Sequence, residues 1–151
     1  MNKKTLYIGL ISLYLATLAI NFFVSMKFPD TTIEASHFIA SFILFITVLF
    51  AVTQSLRYIN GFLLVGGISS IFVAVAQYFN DLLINNWLLD MVAGFQYPIY
   101  VLFITPWFGL NILINALPGT FAFCCAGLFA FLYVVSKITT WRIKGNFNVS
   151  N

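Results

Sequence analysis

The residues of this chain that could do chemistry are few. Glu34 and His37 have an E-x-x-H spacing, which on a helix places a carboxylate and an imidazole on one face. Di-iron bundles use two such pairs with further carboxylates, but His37 is the only histidine in the chain. The spacing from Thr31 to Glu34 instead fits a capping box at the start of a helix. We therefore predict a helix cap or solvated loop here, and no catalytic, cofactor or metal site.

Further polar residues lie in and beside the uncharged segment 91–117. Asp90 precedes this segment, and an ionisable group at membrane depth is a candidate for function, although a helix cap at the membrane interface explains it more simply. Gln96, Asn111 and Asn115 lie within the segment, and the last two would share a helix face. Such amides usually form hydrogen bonds between helices. Beside a broken helix they can also line a polar cavity, as in transporters.

Four charge-free apolar runs must position these residues. They are residues 6–26, 38–56, 61–79 and 120–136, with lengths of 21, 19, 19 and 17 residues. A hydrocarbon core about 30 Å thick needs about 20 helical residues, so each run can cross or nearly cross a bilayer. Only 7% of the chain is charged, compared with about 25% in a typical soluble domain. The sequence predicts an all-α integral membrane domain that covers residues 1–151.

Segment 91–117 combines the apolar length of a span with residues that break helices. It contains Pro98 and Pro106, and Pro118-Gly119 follows it. Proline removes a backbone donor and clashes with the preceding turn. We therefore expect either a kinked fifth span or a re-entrant segment broken near Thr105-Pro106-Trp107.

The distribution of basic residues favours four spans. With four spans, Lys27 alone lies outside and the other six basic residues lie in the cytoplasm; with five, the count becomes three inside and four outside. The positive-inside tendency favours the first arrangement. We predict four spans plus one broken or re-entrant segment, in the cell membrane, with both termini cytoplasmic. Five spans remain the alternative, and residues 145–151 are expected to form a disordered tail.

Small residues recur at every fourth position in two of the apolar runs. They are Gly66, Ser70 and Ala74 in the third run and Ala122, Ala126 and Ala130 in the last. Residues four apart share a helix face, and small side chains let helices approach closely in lipid. We expect both faces to be packing surfaces, against one another or in an oligomer.

These features favour a non-enzymatic membrane component, such as an accessory, assembly or protective subunit. The alternative is a small oligomeric channel or transporter with a polar pathway at segment 91–117. A lipid-modifying enzyme would need Glu34, His37, Asp81 or Asp90 at the outer face. The basic residues flank the spans rather than forming a patch, so nucleic acid is not an expected partner. The expected partners are the bilayer and either another membrane protein or a second copy.

Overall fold

The structure, a computed structural model, describes residues 3–54, 56, 58–79, 91 and 94–149, with side chains as far as residue 142. Its helices are α1 (Lys3–Lys27), α2 (Ala35–Thr53), α3 (Ile59–Tyr78), α4 (Gln96–Phe103), a 3₁₀ helix (Thr105–Leu113) and α5 (Pro118–Val149). No strand occurs in these described ranges, and the predicted all-α fold is confirmed.

Four of the described helices are long and apolar enough to cross a membrane: α1, α2, α3, and α5 as far as Arg142. This confirms the four predicted spans. Helix α5 continues to Val149, so residues 145–149 are helical and differ from the disordered tail that we expected. The helix extends past the apolar run because each added residue contributes one more backbone hydrogen bond.

Helices α3 and α5 pack against each other in antiparallel orientation. Near one end of the pair, the Ser136 hydroxyl lies 2.5 Å from the Asn60 side-chain oxygen. Near the other, Gly119 lies against the side chain of Gln77. The start of α5 therefore lies beside the end of α3. The chain between these helices leaves and returns at the same end of the bundle, as a re-entrant segment requires.

The buried residues of α3 and α5 follow a different spacing from the one that we predicted. The buried positions of α3 include Ile59, Leu63, Gly66, Ser70 and Val73, and those of α5 include Ala122, Cys125, Phe129, Leu132 and Ser136. Spacings that alternate between three and four are typical of left-handed helix packing.

Ala130 is the predicted packing residue whose side chain is exposed rather than buried. Residues four apart drift by about 40° around a helix of 3.6 residues per turn. On α5 the stripe leaves the buried face after two steps: Ala122 and Ala126 are buried, and Ala130 is not. Gly66, Ser70 and Ala74 are all buried on α3.

Helix α4 and the 3₁₀ helix form a re-entrant segment that reaches the middle of the bundle. The Tyr14 hydroxyl, near the midpoint of α1, donates to the Leu102 carbonyl oxygen at the end of α4. The 3₁₀ helix then runs back toward the C-terminal end of α1, where the Phe28 and Phe108 rings lie 5.5 Å apart. This break between Phe103 and Thr105 lies next to Pro106, where we predicted it.

Candidate functional site

A stripe of three polar side chains on α1 faces the interior of the bundle. Thr17, Asn21 and Ser25 are spaced by four residues and are all buried, so they share one helix face. Thr17 and Ser25 donate to backbone carbonyl oxygens of their own helix, at 2.8 and 3.0 Å. The Ser25 hydroxyl also lies 3.1 Å from the hydroxyl of Thr105, the first residue of the 3₁₀ helix.

Asn21 is the centre of a buried hydrogen-bond network that joins α1, α2 and the 3₁₀ helix. Its Nδ2 group donates to the Ser41 hydroxyl at 2.8 Å and to the Pro106 carbonyl oxygen at 3.1 Å. The Ser41 hydroxyl donates to the same carbonyl oxygen at 2.9 Å and accepts from the Gly109 amide at 3.1 Å. We call Asn21, Ser41, Pro106 and Gly109 the Asn21 network. It supplies partners to backbone groups that a broken helix leaves unpaired in lipid.

A tyrosine supplies the hydrogen bond that is missing at the break between α4 and the 3₁₀ helix. In a continuous α-helix, residue 106 would donate its amide to the Leu102 carbonyl oxygen. Proline has no amide hydrogen, and the Tyr14 hydroxyl donates to this oxygen instead. Tyr14 therefore replaces the hydrogen bond that Pro106 removes.

Gly109 allows the 3₁₀ helix to lie against the backbone of α2. A Cβ atom at this position would overlap the His37 carbonyl group and lie 2.7 Å from the Ser41 hydroxyl oxygen. Only glycine fits this contact without a shift of one backbone against the other.

Three buried polar atoms around the re-entrant segment have no hydrogen-bond partner among the described residues. They are Asn21 Oδ1, Gln96 Oε1 and Trp107 Nε1. A buried polar atom without a partner is costly and often marks a functional position. The described side chains of the Asn21 network are amides and hydroxyls, which can bind and orient a polar group but are not general acids or bases at neutral pH.

The predicted amides Asn111 and Asn115 do not form a shared polar face. The Asn111 side chain is buried and makes two hydrogen bonds with the backbone of Ala116, at 2.8 and 2.9 Å. Asn115 is exposed and has a φ of 50°, the left-handed conformation that asparagine tolerates better than most residues. Our prediction of a common face is wrong because the 3₁₀ helix ends at Leu113, before Asn115.

Glu34 and His37 form the start of α2. Glu34 is the N-cap residue, and its amide donates to His37 Nδ1 at 3.1 Å. The cap is thus one turn later than the predicted pair of Thr31 and Glu34. The Thr31 hydroxyl lies 3.4 Å from the Val24 carbonyl oxygen of α1 instead.

The remaining acidic candidates, Asp81 and Asp90, lie outside the described residues. Within the described part of the chain, no three His, Cys, Asp or Glu side chains form a group that could hold a metal ion.

Most of the residues that hold the re-entrant segment were not predicted from the sequence. Ser41 was not considered, and Thr17, Asn21 and Ser25 were not recognised as a stripe. The spacing of four residues from Thr17 through Asn21 to Ser25 was the available signal.

No protein-family model matches this chain, and no curated protein or solved structure is significantly similar to it. A role for this multi-pass membrane protein must therefore be argued from its own geometry.

Proposed function

We propose that this small multi-pass membrane protein is a non-enzymatic membrane component, an accessory, assembly or protective subunit that acts through its lipid-facing surface. The observation that carries the proposal is the Asn21 network. Its described hydrogen bonds join parts of the bundle to each other, so this buried polar cluster stabilises the fold. Such networks make a core rigid and specific.

Two other candidate residues, Asn111 and His37, also serve local structure. Asn111 closes the loop that leads to α5, and His37 caps α2. This use of the polar side chains supports a role in which the bundle presents a stable surface to a partner.

Helix α1 supplies a surface of this kind. It carries large exposed apolar side chains along its length, including Ile8, Ile20 and Phe23. Helices in lipid associate through shape and polar contacts rather than hydrophobicity. A partner would therefore be another membrane protein whose surface is complementary in shape to this face of α1.

Site-specific photo-crosslinking in native membranes tests this proposal. A photoreactive residue at Ile8, Ile20 or Phe23 should give one discrete protein adduct, whereas the same residue at exposed Ile68 on α3 serves as the matched control. Adducts that are equally diffuse at all four positions would contradict a specific partner surface on α1.

A channel or transporter is the second candidate, and a separate observation favours it. Asn21 Oδ1 and Gln96 Oε1 are buried without partners among the described residues, beside a helix that breaks in the middle of the bundle. Transporters often bind their substrates at broken helices near the bilayer midplane.

Flux measurements in vesicles separate the two functions. An accessory subunit should leave vesicles as impermeable to small cations and polyols as protein-free vesicles. A flux that Asn21→Leu or Gln96→Leu abolishes, in a protein that still elutes as a folded species, would establish the transporter and refute the accessory role.

A further inference from the structure

A groove between α1 and α3 lies at the end of the bundle where α1 begins. Its volume is about 210 Å³, and its lining includes Tyr7, Leu10, Ile11 and Tyr14 of α1 together with Ile59 and Phe62 of α3. The lining side chains are aliphatic and aromatic. In a bilayer, the molecules that reach such an open apolar groove are lipid acyl chains.

The polar end of this groove is basic. Tyr7, Leu10, Ile11 and Tyr14 follow the spacing of a single helix face. The same face continues toward the start of α1 through Lys3 and Lys4, which lie four and three residues before Tyr7 and are exposed. A lipid that lies in the groove would therefore have its headgroup next to two lysines, which attract phosphate groups.

We propose that this groove binds one acyl chain of an anionic phospholipid, with the phosphate at Lys3 and Lys4. Its length fits one leaflet. The rise from Lys3 to Tyr14 along α1 is about 16 Å at 1.5 Å per residue, and half of a hydrocarbon core is about 15 Å.

Two tyrosines mark the level of the headgroup. The Tyr58 amide donates to the Tyr7 hydroxyl oxygen at 3.3 Å, and the two rings lie 6.3 Å apart. This hydrogen bond uses an acceptor position of the hydroxyl, which also carries an O–H donor. Tyrosine rings settle at membrane interfaces because they combine an apolar body with a polar tip.

The inner end of the groove connects the lipid to the re-entrant segment. Tyr14 lines the groove, packs edge-on against Phe62 at 5.5 Å, and donates its hydroxyl to Leu102. A bound acyl chain would restrict Tyr14 to the position in which its hydroxyl donates to the Leu102 carbonyl oxygen. Because a ligand stabilises the state that binds it, the lipid should stabilise the whole fold.

Thermal unfolding of the purified full-length protein in detergent tests the proposal, with phosphatidylglycerol and phosphatidylcholine of identical acyl chains as probes. Phosphatidylglycerol should raise Tm in a saturable manner, and phosphatidylcholine and inorganic phosphate should raise it much less. The apparent Kd for phosphatidylglycerol should rise tenfold or more in Ile11→Trp, which fills the groove, and in the double variant Lys3→Gln/Lys4→Gln.

Two matched controls should keep the wild-type affinity. Ile11 is 58% exposed on α1 and Ile68 is 61% exposed on α3, but Ile68 does not line the groove, so Ile68→Trp tests for a general effect of tryptophan. Lys137→Gln removes an exposed charge from α5. Counting bound phosphatidylglycerol by native mass spectrometry gives a second readout that does not depend on the stability of each variant.

Three outcomes would overturn the proposal. They are equal Tm shifts with both lipids, unchanged affinity in Ile11→Trp, or a loss of affinity in Lys137→Gln as large as in the Lys3/Lys4 variant.

Discussion

Among the described glycines, Gly109 and Gly66 have the least room for a side chain. Gly109 lies against the backbone of α2 at His37, and an added Cβ at Gly66 would lie 2.6 Å from the ring of Phe129. Phe129 is fully buried and also packs edge-on against Trp107 at 5.6 Å. Its ring therefore has little freedom to make room for a larger residue.

Alanine at either position should destabilise the fold. Overpacking of a buried contact costs about 1–3 kcal/mol, and we expect Gly109→Ala to exceed Gly66→Ala because its Cβ meets backbone atoms. Thermal unfolding in detergent measures both. Gly127→Ala is the control, since nothing lies within 4 Å of its added Cβ. Equal stability of Gly109→Ala and Gly127→Ala would contradict the close approach of the 3₁₀ helix to α2.

At the scale of elements, the re-entrant segment depends on Tyr14 on one helix and Pro106 on another. We expect Tyr14→Phe to cost about 1–3 kcal/mol, because the Leu102 carbonyl oxygen loses its donor. Pro106→Ala restores an amide that can donate to Leu102 in an α-helix, so it should reduce the cost of Tyr14→Phe. A double-mutant cycle on unfolding free energies measures the coupling. Additive effects would show that the tyrosine does not replace the hydrogen bond that proline removes.

The elements were more predictable than their contacts. The four spans follow from apolar length, and the break follows from Pro106, because both effects act within a short stretch of chain. The burial of Ala130 was predicted wrongly because the residues of a helix that are buried depend on the helix that packs against it. The hydrogen bond from Asn21 to Pro106 joins residues 85 positions apart. No local pattern in the sequence indicates which polar groups meet over that distance.

At the scale of the whole molecule, the antiparallel pair of α3 and α5 sets the topology. Asp30 and Leu117 should lie on one side of the membrane and Trp141 on the other, because α5 crosses between Pro118 and Arg142. The positive-inside tendency predicts that Trp141 lies on the cytoplasmic side.

Cysteine labelling tests this arrangement. In a background with Cys124 and Cys125 replaced by alanine, an impermeant maleimide should label Asp30→Cys and Leu117→Cys in intact cells. Trp141→Cys should react only after lysis. Labelling of Trp141→Cys together with Asp30→Cys in intact cells would indicate five spans.

The close contact between Gly109 and His37 also has a consequence for biosynthesis. These residues are 72 positions apart (109 minus 37), and ribosomes add about 5–20 residues per second, so roughly 4–14 s separate their synthesis. During that interval α1 and α2 occupy the membrane with Asn21 and Ser41 lacking their partners from the 3₁₀ helix. The nascent hairpin therefore holds polar side chains without these partners until the re-entrant segment arrives.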